Sequence, residues 1–159
     1  MQTILISASK QSLLLRENNQ QIAEYSISTS KYGLGESNGS YQTPRGRHTV
    51  RAMIGEGLPL NAVYVGRRFT GEIYSAELSE AFPNRDWVLT RIIWLCGCEK
   101  GKNRLGQRDS MRRYIYIHGT PDSEPMGVPA SHGCIRMRNV EVTDLYNRIS
   151  HGCAVIISD

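Results

Sequence analysis

Short apolar runs alternate with turn-forming residues along most of this chain. From Thr3 to Ile27 the order is TILIS, ASKQ, SLLLRE, NNQQ and IAEYSIS, which predicts three strands joined by two hairpins. Asn18-Asn19 suits a tight turn that needs positive φ. Thr29 to Gly46 is rich in Gly, Ser and Asn and reads as a long surface loop ending in a Thr43-Pro44-Arg45-Gly46 turn. Strand patterns resume at His48 to Ile54, Asn61 to Val65 and Arg68 to Tyr74, while Glu77 to Asp86 reads as irregular. Trp87 to Leu95 (WVLTRIIWL) is read as a buried strand, although periodicity alone leaves a short helix open. Frequent short strands imply a mainly β architecture.

One helix is clear, from about Val140 to Ile149. Val142, Leu145, Tyr146 and Ile149 form an i, i+3, i+4, i+7 stripe, Glu141 lies in the first turn, and Asn139 is expected as its N-cap. Gly152 is expected to close the helix before a terminal strand from Cys153 to Ser158. At 159 residues the chain is expected to form a single domain.

Composition changes this picture little. Apolar residues make up 40 % and charged residues 21 %, and no run reaches the ~18 apolar residues of a membrane helix, so no membrane partner is expected. The formal charge of +4 favours acidic partners in general; no nucleic-acid motif accompanies the basic cluster from Arg104 to Arg113, and nucleic acid is not expected as a partner. The amino terminus, MQTILISASKQSLLL, lacks the features of a secretory signal, so Met1 as native start predicts a cytoplasmic protein. A removed export signal would instead place it outside the cytoplasm. Oligomeric state is not encoded legibly.

Candidate chemistry lies in the tetrapeptide Ser-His-Gly-Cys, which occurs twice, at Ser131 to Cys134 and at Ser150 to Cys153. The second copy ends a helix and enters an apolar strand, which makes Cys153 a core side chain. The first follows a loop, where reactive groups are commonly carried. Nearby Arg136 and Arg138 would favour a thiolate at Cys134, and Gly133 would let the chain turn so that neighbouring amides aim at an oxyanion. In RYIYIH, alternation puts Tyr114, Tyr116 and His118 on one face and Ile115 with Ile117 on the other. The 12 residues between His118 and Ser131 can return the chain so that His118 reaches Cys134 as its base. No carboxylate is evidently placed to orient the imidazole.

Cys96 and Cys98 would share one face of a strand, about 6.6 Å apart along the chain, and are read as buried, inert free thiols. A zinc or redox protein built on the two His-x-Cys pairs and Cys96-x-Cys98 is the competing class. Paired C-x2-C or H-x3-H spacings are absent, so neither a metal nor another cofactor is expected. A binding module that keeps the fold without the chemistry is a further alternative.

His118 followed by Ser131-His132-Gly133-Cys134-Ile135-Arg136 and Asn139 resembles the active-site signature of the L,D-transpeptidase catalytic domain, the YkuD family. Thr43-Pro44-Arg45-Gly46, LTRIIWLCGCEKGKNR and RRYIYIHGT extend the resemblance over nearly the whole chain. It implies a mixed β sandwich with few helices. It also implies Cys134 as nucleophile, His118 as base and Gly119 as the carbonyl that orients His118. The backbone amides of His132, Gly133 and Cys134 would form the oxyanion hole, Arg136 would bind or position substrate, and the His132 side chain is left without a role. The implied substrate is a murein stem peptide, cleaved at the L,D bond before the terminal D-alanine of a tetrapeptide. Water as acceptor gives L,D-carboxypeptidase action in peptidoglycan recycling; an amine gives cross-links or D-amino-acid exchange. The bare catalytic domain favours the first.

Overall fold

The computed structural model describes residues 1–159. Its strands are β1 (Gln2–Ser7), β2 (Ser12–Glu17), β3 (Gln20–Ser26), β4 (Gly46–Ile54), β5 (Ala62–Val65), β6 (Arg68–Ile73), β7 (Val88–Gly97), β8 (Tyr116–Gly119), β9 (Ile135–Met137) and β10 (Ala154–Ser158). The helices are α1 (Ala76–Ala81) and α2 (Asn139–Arg148). Asn18 and Asn19 both have positive φ, as the β2–β3 turn requires.

All ten strands belong to one mixed sheet in the order β3-β2-β1-β10-β4-β7-β5-β6, with β8 branching from β7 and carrying β9 on its far side. The β1–β10 and β8–β9 pairs are parallel. Ser28, just beyond β3, exchanges backbone hydrogen bonds with Arg136 of β9. That bridge curls the sheet back on itself, so the mainly β, mixed architecture encloses its core.

The enclosed core is a cluster of 20 buried residues, among them Ile4, Leu13, Ile93, Ile117, Ile135, Leu145 and Val155. β7 explains why WVLTRIIWL is largely apolar on both faces. Ile93 and Leu95 point into this core, whereas Ile92 and Trp94 join a smaller cluster with Ala62, Tyr64 and Tyr116 on the opposite face. At roughly 2 kcal/mol per buried aliphatic side chain, the inner core dominates stability. Cys134 packs against the cluster on the outer face.

Four local expectations are corrected. Glu77–Ala81 is not irregular but part of α1, whose N-cap Ser75 accepts from the Leu78 amide at 3.1 Å. Asn139 is not the cap of α2: Arg138 holds that place without a side-chain bond, because the Asn139 side chain is committed elsewhere. Gly152 is not the residue that closes α2, which ends with Ile149 at its C-cap; Gly152 instead turns the chain into β10 at φ +83°. Cys98 is not buried, because β7 ends at Gly97 and leaves it exposed, with Cys96 half-buried. Cys153 does lie in the inner core.

Candidate active site

β8 and β9 are the frame of the site. In their parallel register His118 lies opposite Arg136 and Ile117 opposite Ile135. One residue before β9, Cys134 comes level with Tyr116. Alternation therefore puts Tyr116, His118, Cys134 and Arg136 on one face, with Ile117 and Ile135 in the core. Cys134 and His118 are diagonal neighbours whose Cα atoms are about 8 Å apart by strand spacing. Tyr114 departs from the expected alternation: the strand begins at Tyr116, and Tyr114 stands exposed with φ +57°.

His118 is 2 % exposed, and its Nδ1 lies 2.6 Å from the Gly119 carbonyl oxygen. A carbonyl only accepts, so Nδ1 carries the proton and the neutral ring keeps its lone pair on Nε2. Burial, the largest influence, lowers the imidazole's pKa below its ordinary 6.5 against the opposing Gly119 hydrogen bond, so the ring rests neutral. The Cys134 thiol donates to the Tyr114 carbonyl at 3.2 Å and accepts from the Tyr116 amide at 3.3 Å. Burial pushes its pKa up to about 12. The expected drop toward a thiolate is not present: Arg136 and Arg113 lower the value, but desolvation outweighs them, and Arg138 is turned away to Glu141. The pair rests as neutral thiol and neutral imidazole.

The Ser131–Cys134 turn is held from several sides. Ser131 Oγ donates to the Cys134 carbonyl at 2.6 Å, and Thr43 Oγ1 donates to the Gly133 carbonyl at 2.9 Å. The Ser131 amide donates to the Thr29 carbonyl, and the Lys31 amide to that of Ser131. Gly133 has φ +129°, a conformation that disfavours any side chain. Its amide donates weakly to Ser131 Oγ at 3.3 Å, whereas the amides of His132 and Cys134 have no protein acceptor. These two amides, with Gly133 between them, can stabilise developing negative charge on an oxygen.

Arg136 is 7 % exposed and is enclosed by internal partners: Asp86 at 3.4 Å, Glu124 at 3.7 Å and the Ala130 carbonyl at 3.3 Å. His132 is exposed and inclined against Tyr32, ring centroids 6.4 Å apart. It stands where two grooves meet. One, about 190 Å³, is lined by Asp86, Trp87, Thr120, Glu124 and Arg136. The other, about 260 Å³, is lined by Asn38, Tyr41, Arg112, Tyr114 and Ile115.

Three contributions were missed in the sequence. Asn139 is 2 % exposed and donates to the carbonyl of Thr120 at 2.8 Å, anchoring the chain just after His118-Gly119. Its Oδ1 accepts from Thr90 Oγ1 at 2.6 Å, and Thr90 is itself held at φ +72°, unusual for a β-branched residue, in a β7 irregularity. Thr29, Ser30 and Thr43, read as surface loop, are buried beneath the Cys134 turn, as is Ser28 just before them. Asp86 lies near His118, raising its pKa, yet does not orient the ring. The Asn139 adjacency to the motif was a visible signal; the two others depend on tertiary closure.

Residues 1–157 match the YkuD family, described as the L,D-transpeptidase catalytic domain. A protein of Bacillus subtilis strain 168 with the provisional name L,D-transpeptidase YqjB is 49 % identical over 47 residues, 30 % of this chain and 27 % of that one. L,D-transpeptidase 3 from Mycobacterium tuberculosis, solved with a faropenem-derived adduct, superposes with a TM-score of 0.60 at 16 % identity, over 99 % of this chain and 60 % of that one. A cysteine-to-serine mutant of an Enterococcus faecium L,D-transpeptidase gives 0.60 at 14 % identity, over 99 % and 49 %. At these identities the structural likeness is one of fold, and this chain spans less than two thirds of each of these relatives.

Proposed function

The chain belongs to the YkuD family of L,D-transpeptidase catalytic domains, and on that premise we propose that it is a cysteine acyl-transfer enzyme acting on murein stem peptides. Its bond is the L,D bond before the terminal D-alanine of a tetrapeptide. The observation that carries this reading is the shared face of Cys134 and His118, with Nδ1 held by Gly119 and Nε2 left as the only basic nitrogen of the ring.

Each step follows from those atoms. Nε2 of His118 takes the thiol proton as Sγ of Cys134 bonds to the L-residue carbonyl carbon, so the neutral resting pair ionises only as the bond forms. The amides of His132 and Cys134, assisted by Gly133, receive the oxyanion. Its collapse breaks the C–N bond; the departing D-alanine amine takes the proton back from Nε2, leaving a tripeptidyl thioester. Water, giving its proton to Nε2, then hydrolyses the thioester to a tripeptide carboxylate and restores the thiol. Arg136, enclosed by Asp86 and Glu124, shapes the substrate groove beside this centre.

Hydrolysis, L,D-carboxypeptidase action of the kind used in peptidoglycan recycling, is the leading reading, since water needs no dedicated acceptor site. The alternative is an amine acceptor, which attacks the thioester carbonyl as the neutral amine, gives its proton to Nε2 and yields a cross-link or an exchanged D-amino acid. Mass-spectrometric product analysis with tetrapeptide, with and without an added D-amino acid or amine-bearing stem peptide, tests both. Tripeptide alone supports hydrolysis and exchanged or cross-linked product supports transpeptidation. Absence of D-alanine release contradicts the proposal.

A further inference from the structure

β5 and β6 are joined by a two-residue turn, Gly66-Arg67, with Val65 paired to Arg68 across it. Gly66 has φ +56° and Arg67 φ +65°, the backbone of a type I′ turn. Glycine or asparagine is the ordinary occupant of the second position, and a long side chain sits there at a steric cost. An outlier of this kind calls for a functional account, and the direction of the side chain supplies one.

The Arg67 guanidinium lies over two aromatic rings, 4.9 Å from the centroid of Trp94 and 4.6 Å from that of Tyr114. One of its nitrogens donates to the Tyr116 hydroxyl at 3.0 Å. That is its single hydrogen bond, and no carboxylate pairs with it, in contrast to Arg45, Arg85, Arg136, Arg138 and Arg148. A guanidinium fixed by stacking at the surface, with most of its five N–H donors unused, is pre-organised for a planar anion. The two tyrosines that hold it also hold the thiol: the Tyr114 carbonyl accepts from Cys134 and the Tyr116 amide donates to it.

We infer that Arg67 is a specificity residue that binds a carboxylate of the acyl donor, the free α-carboxylate of the D-residue that leaves. The inference rests on the acyl-transfer reading above. In such a peptide that carboxylate is three bonds from the carbon that Cys134 attacks, the nearest anion to the reaction centre. The requirement it creates is for a peptide that ends one residue after the scissile bond.

The test is steady-state release from three tetrapeptides by wild type, Arg67→Gln and Arg67→Asn, the last retaining a residue the turn favours. One peptide has a free C-terminus, one is a C-terminal amide, and one has lysine at the third position and so lacks a side-chain carboxylate there. Wild type is expected to prefer the acid over the amide by about 10- to 100-fold in kcat/KM, the size of one hydrogen-bonded charge. Both variants are expected to lose that factor on the acid and on the lysine peptide, and almost nothing on the amide. Equal losses on acid and amide, no loss on either, or a preference that follows the third residue overturns the inference alone. Wild type that releases nothing from any of the peptides overturns the acyl-transfer reading and this inference with it.

Discussion

Cys134, half-buried, and His118, fully buried, rest uncharged because the protein packed around them desolvates both, and desolvation outweighs the arginines near the thiol. A base whose pKa lies below 6.5 is mostly deprotonated there, so kcat/KM should reach its acid half-loss only below pH 6.5. A half-loss at or above 6.5 in the pH profile contradicts this. Cys134→Ala and His118→Ala should each lower D-alanine release by at least ~10³-fold, whereas Cys153→Ala, whose side chain lies in the inner core, should fold less stably yet turn over near the wild-type rate. The duplicated SHGC made this contrast legible in the sequence: one copy led out of a loop and the other out of a helix. The thiol's high pKa was not legible, because it depends on how tightly β8 and the aromatic cluster close over Cys134.

At the level of elements, the alternation of β8 and the stripe of α2 were readable, and their registers follow from them. Where local rules failed, a tertiary bond won. Asn139 is a good capping residue by type, but its amide is spent on the Thr120 carbonyl. α1 is the opposite case, a helix that its local signal, Ser75 before a run of helix formers, suffices to explain. Gly119 shows how closely these parts approach. An added Cβ would collide with Asn139 Oδ1 and lie 2.7 Å from the Leu89 carbonyl, neither able to yield without moving the site. Gly119→Ala should therefore lower the thermal midpoint and reduce turnover by more than ~10²-fold. Asn139→Ala should do the same more mildly, leaving Thr90 Oγ1 without its buried partner. Retention of full activity by Gly119→Ala would count against the close packing that holds the His118 carbonyl partner in place.

Over the whole molecule, closure of the sheet by Ser28 and Arg136 joins the first hairpins to the site, and no local pattern announces such a long-range bridge. A second buried histidine gives the fold a pH dependence. His48 is 1 % exposed, with Nδ1 at the Gly46 carbonyl and Nε2 2.8 Å from Ser110 Oγ, and burial lowers its pKa from 6.5 to about 4. The unfolded chain takes up a proton near 6.5 that the folded one refuses until about 4. Stability is thus present above 6.5 and is lost as pH falls toward 4, by about 3 kcal/mol from His48. His118 acts in the same direction. Thermal midpoints measured from pH 7 to pH 4 should fall, and less steeply in His48→Gln.

The proposed acyl transfer turns on one covalent bond, between Sγ of Cys134 and the L-residue carbonyl carbon. Acid-quenching the protein during turnover of tetrapeptide, followed by peptide mapping by mass spectrometry, reads that bond. The predicted result is a tripeptidyl mass on the peptide that carries Cys134 and none on those carrying Cys96, Cys98 or Cys153. D-Alanine released with the adduct on another cysteine, or with full activity retained in Cys134→Ala, would contradict it.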